Sequence, residues 1–187
     1  MDCTEYLVPD SYNTRNIPRA AFVEDIGAFV GTFDGDCAAC IASLQETLGK
    51  YNLMLDALRK QRDGLRASTA ELRENLDAIS HLQDRFEEAS EVDVRYELAA
   101  GVYARARIPR TDRISLWLGS GVMVEYPPEE ARALLSKNLA EADAAITDLE
   151  QNIQFLKEQA TTTEVCISRV FNWDVQNRSH GRLPSES

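Results

Sequence analysis

From Ile41 to Phe86 one set of residues recurs at alternating steps of three and four, and all of it is apolar except Arg62, Thr69 and Gln83. A second set, from Leu135 to Val170, keeps the same alternation, and proline interrupts neither. Such a seam lies along one side of an α-helix and buries itself only against a second seam. The spacing predicts two helices, from about Asp36 to Ser90 and from about Pro128 to Phe171. At 1.5 Å per residue each is on the order of 65 to 80 Å long, beyond any ordinary globular helix. Asp34 or Asp36 can cap the first, while Pro127, Pro128, Glu129 and Glu130 suit the start of the second. Paired in one chain, the seams require an antiparallel hairpin.

The connection between them, about residues 91–126, is too long for a turn and reads as strand. In "VYARARI", Val102, Ala104, Ala106 and Ile108 alternate with Tyr103, Arg105 and Arg107. "PRTD" turns the chain, and "ISLWLG" puts Ile114, Leu116 and Leu118 on one face. "SG" turns it again before Val122 and Val124. Two β-hairpins at the closed end of a helical hairpin can cover neither their apolar face nor their edges. The expected fold class is therefore mainly α, a long antiparallel coiled-coil hairpin with two β-hairpins at its closed end, whose strands form an assembly surface. The expected divisions are a leader over 1–35, a helix over 36–90, an assembly platform over 91–126, a helix over 127–172 and a polar tail over 173–187. The assembly residues are expected to be Val102, Ile108, Ile114, Leu116, Trp117, Leu118, Val122 and Val124, with the Ile114 to Val124 face uncovered within one chain.

Several functions are disfavoured. A net charge of −11 repels nucleic acid, and the Arg105, Arg107, Arg110 and Arg113 cluster reads as protection of strand edges. No run approaches the length of a membrane span, and the start lacks a secretory pattern, so a cytoplasmic chain is expected, with the nucleus a further compartment. Cys37 and Cys40 form a CxxC, yet with Cys3 and Cys166 they lack the paired spacing of a zinc site and the βαβ setting of a redox motif. Free thiols in a reducing compartment are expected, with no metal and no cofactor. His81 lies off the seam and His180 in the tail, and neither has a nucleophile to serve, so catalysis is not expected. A structural scaffold or tether remains as an alternative, though it has no need of strands.

The segments "IPRAAFVEDI" (17–26), "PRTDRISLWLGSGVMVEYPPEEARALLSKNL" (109–139) and "TTTEVCISRVFNWDV" (161–175) resemble an α-class subunit of the prefoldin family of co-chaperones. The match spreads over most of the chain and departs at "GTFDGDCAAC", in the first 16 residues and after Val175. The resemblance implies a hexamer of two α-class and four β-class subunits built on a double β-barrel. It also implies capture of unfolded polypeptides, actin and tubulin notably, at coiled-coil tips, and nucleotide-independent delivery to the cytosolic group II chaperonin. At the tip it would place Phe22, Phe29, Phe33, Ile41, Val170, Phe171 and Trp173, either stapling the open end or exposed to clients. Residues 1–36 hold seven acids against two arginines, which suits either a solvated leader or steering toward a basic surface.

Overall fold

The structure, a computed structural model, describes residues 7–13 and 15–180. A short hairpin, β1 (Leu7–Tyr12) and β2 (Pro18–Ala20), precedes the one-turn helix α1 (Ile26–Gly31) and the long helix α2 (Cys37–Glu88). Strands β3 (Glu91–Ala99), β4 (Val102–Pro109), β5 (Ile114–Gly119) and β6 (Val122–Tyr126) follow, and α3 (Pro128–His180) closes the chain. The strands make three separate two-stranded antiparallel sheets, β1–β2, β3–β4 and β5–β6. Two compact units result, one of residues 1–63 with 147–187 and one of residues 64–146. They are called here the terminal unit and the hairpin unit.

Capping chemistry explains where α2 begins. Gly35 (φ 82°) and Asp34 (φ 54°) turn the chain out of α1, and the Asp36 carboxylate accepts from the amides of Ala38 and Ala39 at 2.9 and 3.1 Å. Asp36 is thus the cap, satisfying amides that have no intrahelical partner. At α3 the Pro127 carbonyl accepts the first helical bond from Ala131, and Glu129 and Glu130 occupy the first turn. The far end of α3 differs from expectation, because the helix continues past Phe171 to His180. Trp173 packs on the terminal core and Asp174 pairs with Arg178 one turn on, which carries the helix beyond Phe171.

All three polar lapses of the first seam are accounted for. Thr69 is buried and returns its hydroxyl to the Leu65 carbonyl at 2.8 Å. Arg62 pairs with neighbouring Asp63 at 2.8 Å. Gln83 accepts from Arg132 and donates to Glu129 at 3.1 Å, tying α2 to α3 beside the strands.

The two units bury very different cores. The terminal core has fourteen buried residues, from Ile17, Val23 and Val30 of the leader to Leu44, Tyr51, Leu156 and Val170 of the helices. The buried cluster of the hairpin unit is Ile79, Ala131 and Leu135, with Leu72, Leu76, Ile114, Leu116 and Tyr126 packed against it. The larger core reflects a third layer, because the leader lies along α3 and buries a second stripe of that helix beside the seam. On that stripe Asn152 accepts from the Asn13 side chain at 2.7 Å, and Gln159 accepts from the Ala20 amide at 3.0 Å.

Candidate assembly and client surfaces

Within each platform hairpin the alternation holds until a bulge near the turn. Val92 pairs with Ile108 and Val94 with Ala106, and the register then shifts between Glu97 and Ala99. Leu116 pairs with Val124 and Trp117 with Met123, and the register shifts between Trp117 and Gly119. In each hairpin the residue inside the shift is a leucine, Leu98 or Leu118, and a bulge re-aims its side chain out of the alternation. The β5–β6 turn has positive φ at both Ser120 (51°) and Gly121 (79°), the conformation that matches the twist of paired strands.

The result is two apolar hairpin ends. Tyr96, Leu98, Val102 and Tyr103 are exposed on β3–β4, and Trp117, Leu118, Val122 and Met123 on β5–β6. These eight make up most of the thirteen large apolar residues exposed among the described ones, which concentrates uncovered apolar surface on 31 residues of strand and turn, 96–126. Singly exposed apolar side chains are ordinary, but a cluster marks an interaction surface.

One part of the expected assembly face is corrected. Ile114 and Leu116 are not bare, since both pack against the Ile79, Ala131 and Leu135 cluster of the same chain. Val124 is also half-buried, whereas Leu118 and Val122 are exposed. The bulge between Trp117 and Gly119 takes Leu118 out of the face that Ile114 and Leu116 share. Two arginines of the cluster pair locally: Arg107 lies 3.2 Å from Asp93 and Arg113 3.2 Å from Glu125, both across their hairpins.

In the terminal unit, Phe22 and Phe171 are exposed at 54% and 56%. The Arg169 guanidinium stacks over the Phe22 ring at 4.8 Å and donates to the carbonyls of Val23 and Glu24, the latter at 2.9 Å. Val175, one turn beyond Phe171, is exposed as well. Phe29, Phe33, Ile41 and Trp173 are half-buried against the core, and the Phe29 and Phe33 rings meet edge to face at 5.6 Å.

The prefoldin family model, described as "Prefoldin subunit", matches residues 51–173. The chain belongs to the prefoldin family. It is similar to human prefoldin subunit 3, 38% identical over 164 residues that cover 87% of this chain and 83% of that one. It is also similar to the probable prefoldin subunit 3 of Dictyostelium discoideum, 36% identical over 178 residues, covering 95% and 89%. Among solved structures, a chain of filamentous PFD from Methanocaldococcus jannaschii superposes with a TM-score of 0.50 at 21% identity. That likeness covers 61% of this chain and 92% of that one, and it supports the fold.

As a prefoldin subunit the chain is a co-chaperone component, and its expected tip residues fall into three groups. Phe22 and Phe171 face solvent, and Phe29, Phe33, Ile41 and Trp173 are half covered. Val170 is fully buried on the α3 seam, facing the core. Strand alternation hid Tyr96, Leu98, Tyr103 and Met123, which stand beside the expected platform residues. The polar stripe of α3, Asp148, Asn152, Gln159, Cys166 and Arg169, was also missed. Its own steps of four, seven, seven and three were the available signal.

The cysteines belong to this packing. Cys37, Cys40 and Cys166 are buried and free, and no disulfide joins them among the described residues. Burial pushes the Cys40 thiol up to about 11, with the Cys37 sulfur adding to the shift. Burial likewise raises the Cys37 thiol, and Asp174 adds to it. Both keep their protons at neutral pH, so neither is poised as a nucleophile. His81 is exposed on α2. No described helix is long and apolar enough to cross a membrane.

Proposed function

We propose that the chain is an α-class subunit of a hexamer of two α-class and four β-class prefoldin subunits, acting in the cytosol without nucleotide. The observation that carries this reading is the pair of uncovered apolar hairpins. Isolated two-stranded sheets with bare apolar ends are marginal in water and become stable when other strands cover them. Val102, Ile108, Trp117, Leu118 and Val122 would meet neighbouring subunits, joined by Tyr96, Leu98, Tyr103 and Met123. Ile114, Leu116 and Val124 would hold the second hairpin to its own helices. Phe22 and Phe171, with the half-covered Phe29, Phe33, Ile41 and Trp173, would contact unfolded polypeptides of the actin and tubulin class, which pass to the group II chaperonin. Such contacts tolerate many client sequences, because hydrophobic association has no directional requirement.

Reconstitution with the other five subunits tests this. A single hexameric species should form, and it should suppress aggregation of urea-denatured actin, with Phe22→Ser and Phe171→Ser together weakening capture but not assembly. A chain that stays monomeric with those partners would overturn the reading.

A further inference from the structure

The leader between Ile17 and Glu24 lies on the helices as an extended peptide lies on a receptor. Ile17, Ala20 and Val23 point inward at steps of three, with 6%, 6% and 8% exposure, and Ile26 and Val30 of α1 are buried beyond them. Between these anchors the helices hold main chain. The Tyr51 hydroxyl donates to the Pro18 carbonyl at 3.0 Å, Gln159 accepts from the Ala20 amide at 3.0 Å, and the Cys166 sulfur accepts from the Val23 amide at 3.4 Å. Arg169 donates to the carbonyls of Val23 and Glu24. Contacts to main chain carry no side-chain information, and the small apolar anchors are chemically undemanding. These are the requirements for holding an extended apolar segment of almost any sequence.

We propose that this face of α2 and α3 is a peptide-binding groove, and that the leader is its resident occupant, displaced by an extended apolar segment of a non-native client. The proposal rests on the client-capture reading above and adds how that site is regulated. Two observations favour displacement over a permanent core role. The leader is joined to α2 by the Asp34–Gly35 turn, and its main-chain partners in the groove are side chains, so it can leave without breaking a helix. The buried amide side chains of Asn152 and Gln159 also keep bonds of their own to the Asp148 and Phe155 carbonyls, so release strips neither of every partner.

A tethered occupant sets a threshold. Its effective concentration is on the order of millimolar, so a competitor must bring several apolar segments or bind strongly. Unfolded chains meet that condition. Folded proteins, with such segments buried, do not.

Two measurements test the proposal. In the reconstituted wild-type hexamer, hydrogen exchange at the Ala20 and Val23 amides should accelerate when urea-denatured actin is added in excess. Capture of actin with those amides still protected would overturn the inference and leave the client-capture reading standing, whereas absence of any capture would overturn that reading. The second measurement needs no client. A fluorescent peptide spanning residues 16–31 is titrated onto the full chain and onto its Ile17→Ser, Val23→Ser variant, which loosens the leader and leaves the groove intact. Removing a tethered competitor should tighten peptide binding on the order of 100-fold, and adding Gln159→Leu should reverse part of the gain. Equal affinity for both chains would overturn the groove. Loss of helical circular dichroism in the loosened variant would show the leader to be an obligate part of the core, and pairing of two loosened copies would assign the groove to a second chain. Either result also overturns the proposal.

Discussion

The terminal unit and the hairpin unit draw on similar apolar material and treat it oppositely. In the terminal unit the chain covers its own helices: the leader supplies Ile17, Val23 and Val30, and the fourteen-residue core closes around Tyr51 and Leu156. In the hairpin unit, cover reaches Val92, Ile114 and Leu116, but the hairpin ends keep Tyr103 and Trp117 more than 60% exposed. The difference lies in backbone satisfaction. A helix meets its own hydrogen-bonding needs and lacks only an apolar partner, which a short extended leader can supply. A two-stranded sheet lacks both a partner face and two strand partners, and only further strands supply those.

The largest effect should come from charging the bare hairpin. Trp117→Asp with Val122→Asp alters side chains already exposed in the single chain, so helicity by far-UV circular dichroism should not change. Incorporation into the proposed hexamer should be lost, because burying unpaired carboxylates costs several kcal/mol. Normal co-purification with partner subunits would erase the contrast between the units.

Next in size is Leu156→Ala, which opens a cavity at a fully buried site and should cost about 2–5 kcal/mol in urea unfolding. Leu135→Ala, in the three-residue cluster, should fall at or below the low end of that range, because fewer buried groups surround it. Equal losses at the two positions would mean that the cores are equivalent.

Removing the α2 cap with Asp36→Ala should cost about 0.5–2 kcal/mol in thermal or chemical unfolding. Faster hydrogen exchange should be confined to the first turns of α2. A loss that extends to Ile79 would show that the two units unfold together.

The smallest effect concerns Tyr51. Burial pushes its phenol up to about 12 from 10.0, so the neutral form is favoured in the folded state. A folded pKa above the unfolded value contributes stability that is fully present below about pH 10 and lost as pH rises toward 12. Tyr51→Phe should lower stability by about 1 kcal/mol at neutral pH through loss of the bond to Pro18, and it should flatten the alkaline decline. An unchanged pH profile in that variant would place the titration elsewhere, with Cys40 the next group to remove.

Much of the architecture was legible before any coordinates. The steps of three and four from Ile41 and from Leu135 mark two helices whose seams must meet, and the "SG" and "PRTD" turns mark hairpins, because periodicity and turn chemistry are local properties. The surfaces were less legible. Strict alternation would put Leu118 on one face with Leu116, but the bulge between Trp117 and Gly119 parts them. An apolar residue such as Val170 reads the same whether it faces a client or a core.

The sequence by itself determined the helix pair, the strands between them and the excess of apolar strand surface, since each follows from the order of residues along a few turns or one hairpin. Only the tertiary structure decided which apolar residues are covered. Burial of Val170, cover over Leu116 and the grip of Gln159 on the Ala20 amide each join residues far apart in the chain. The apolar pattern says that a surface must be hidden from water; non-directional attraction leaves the partner open until packing selects it.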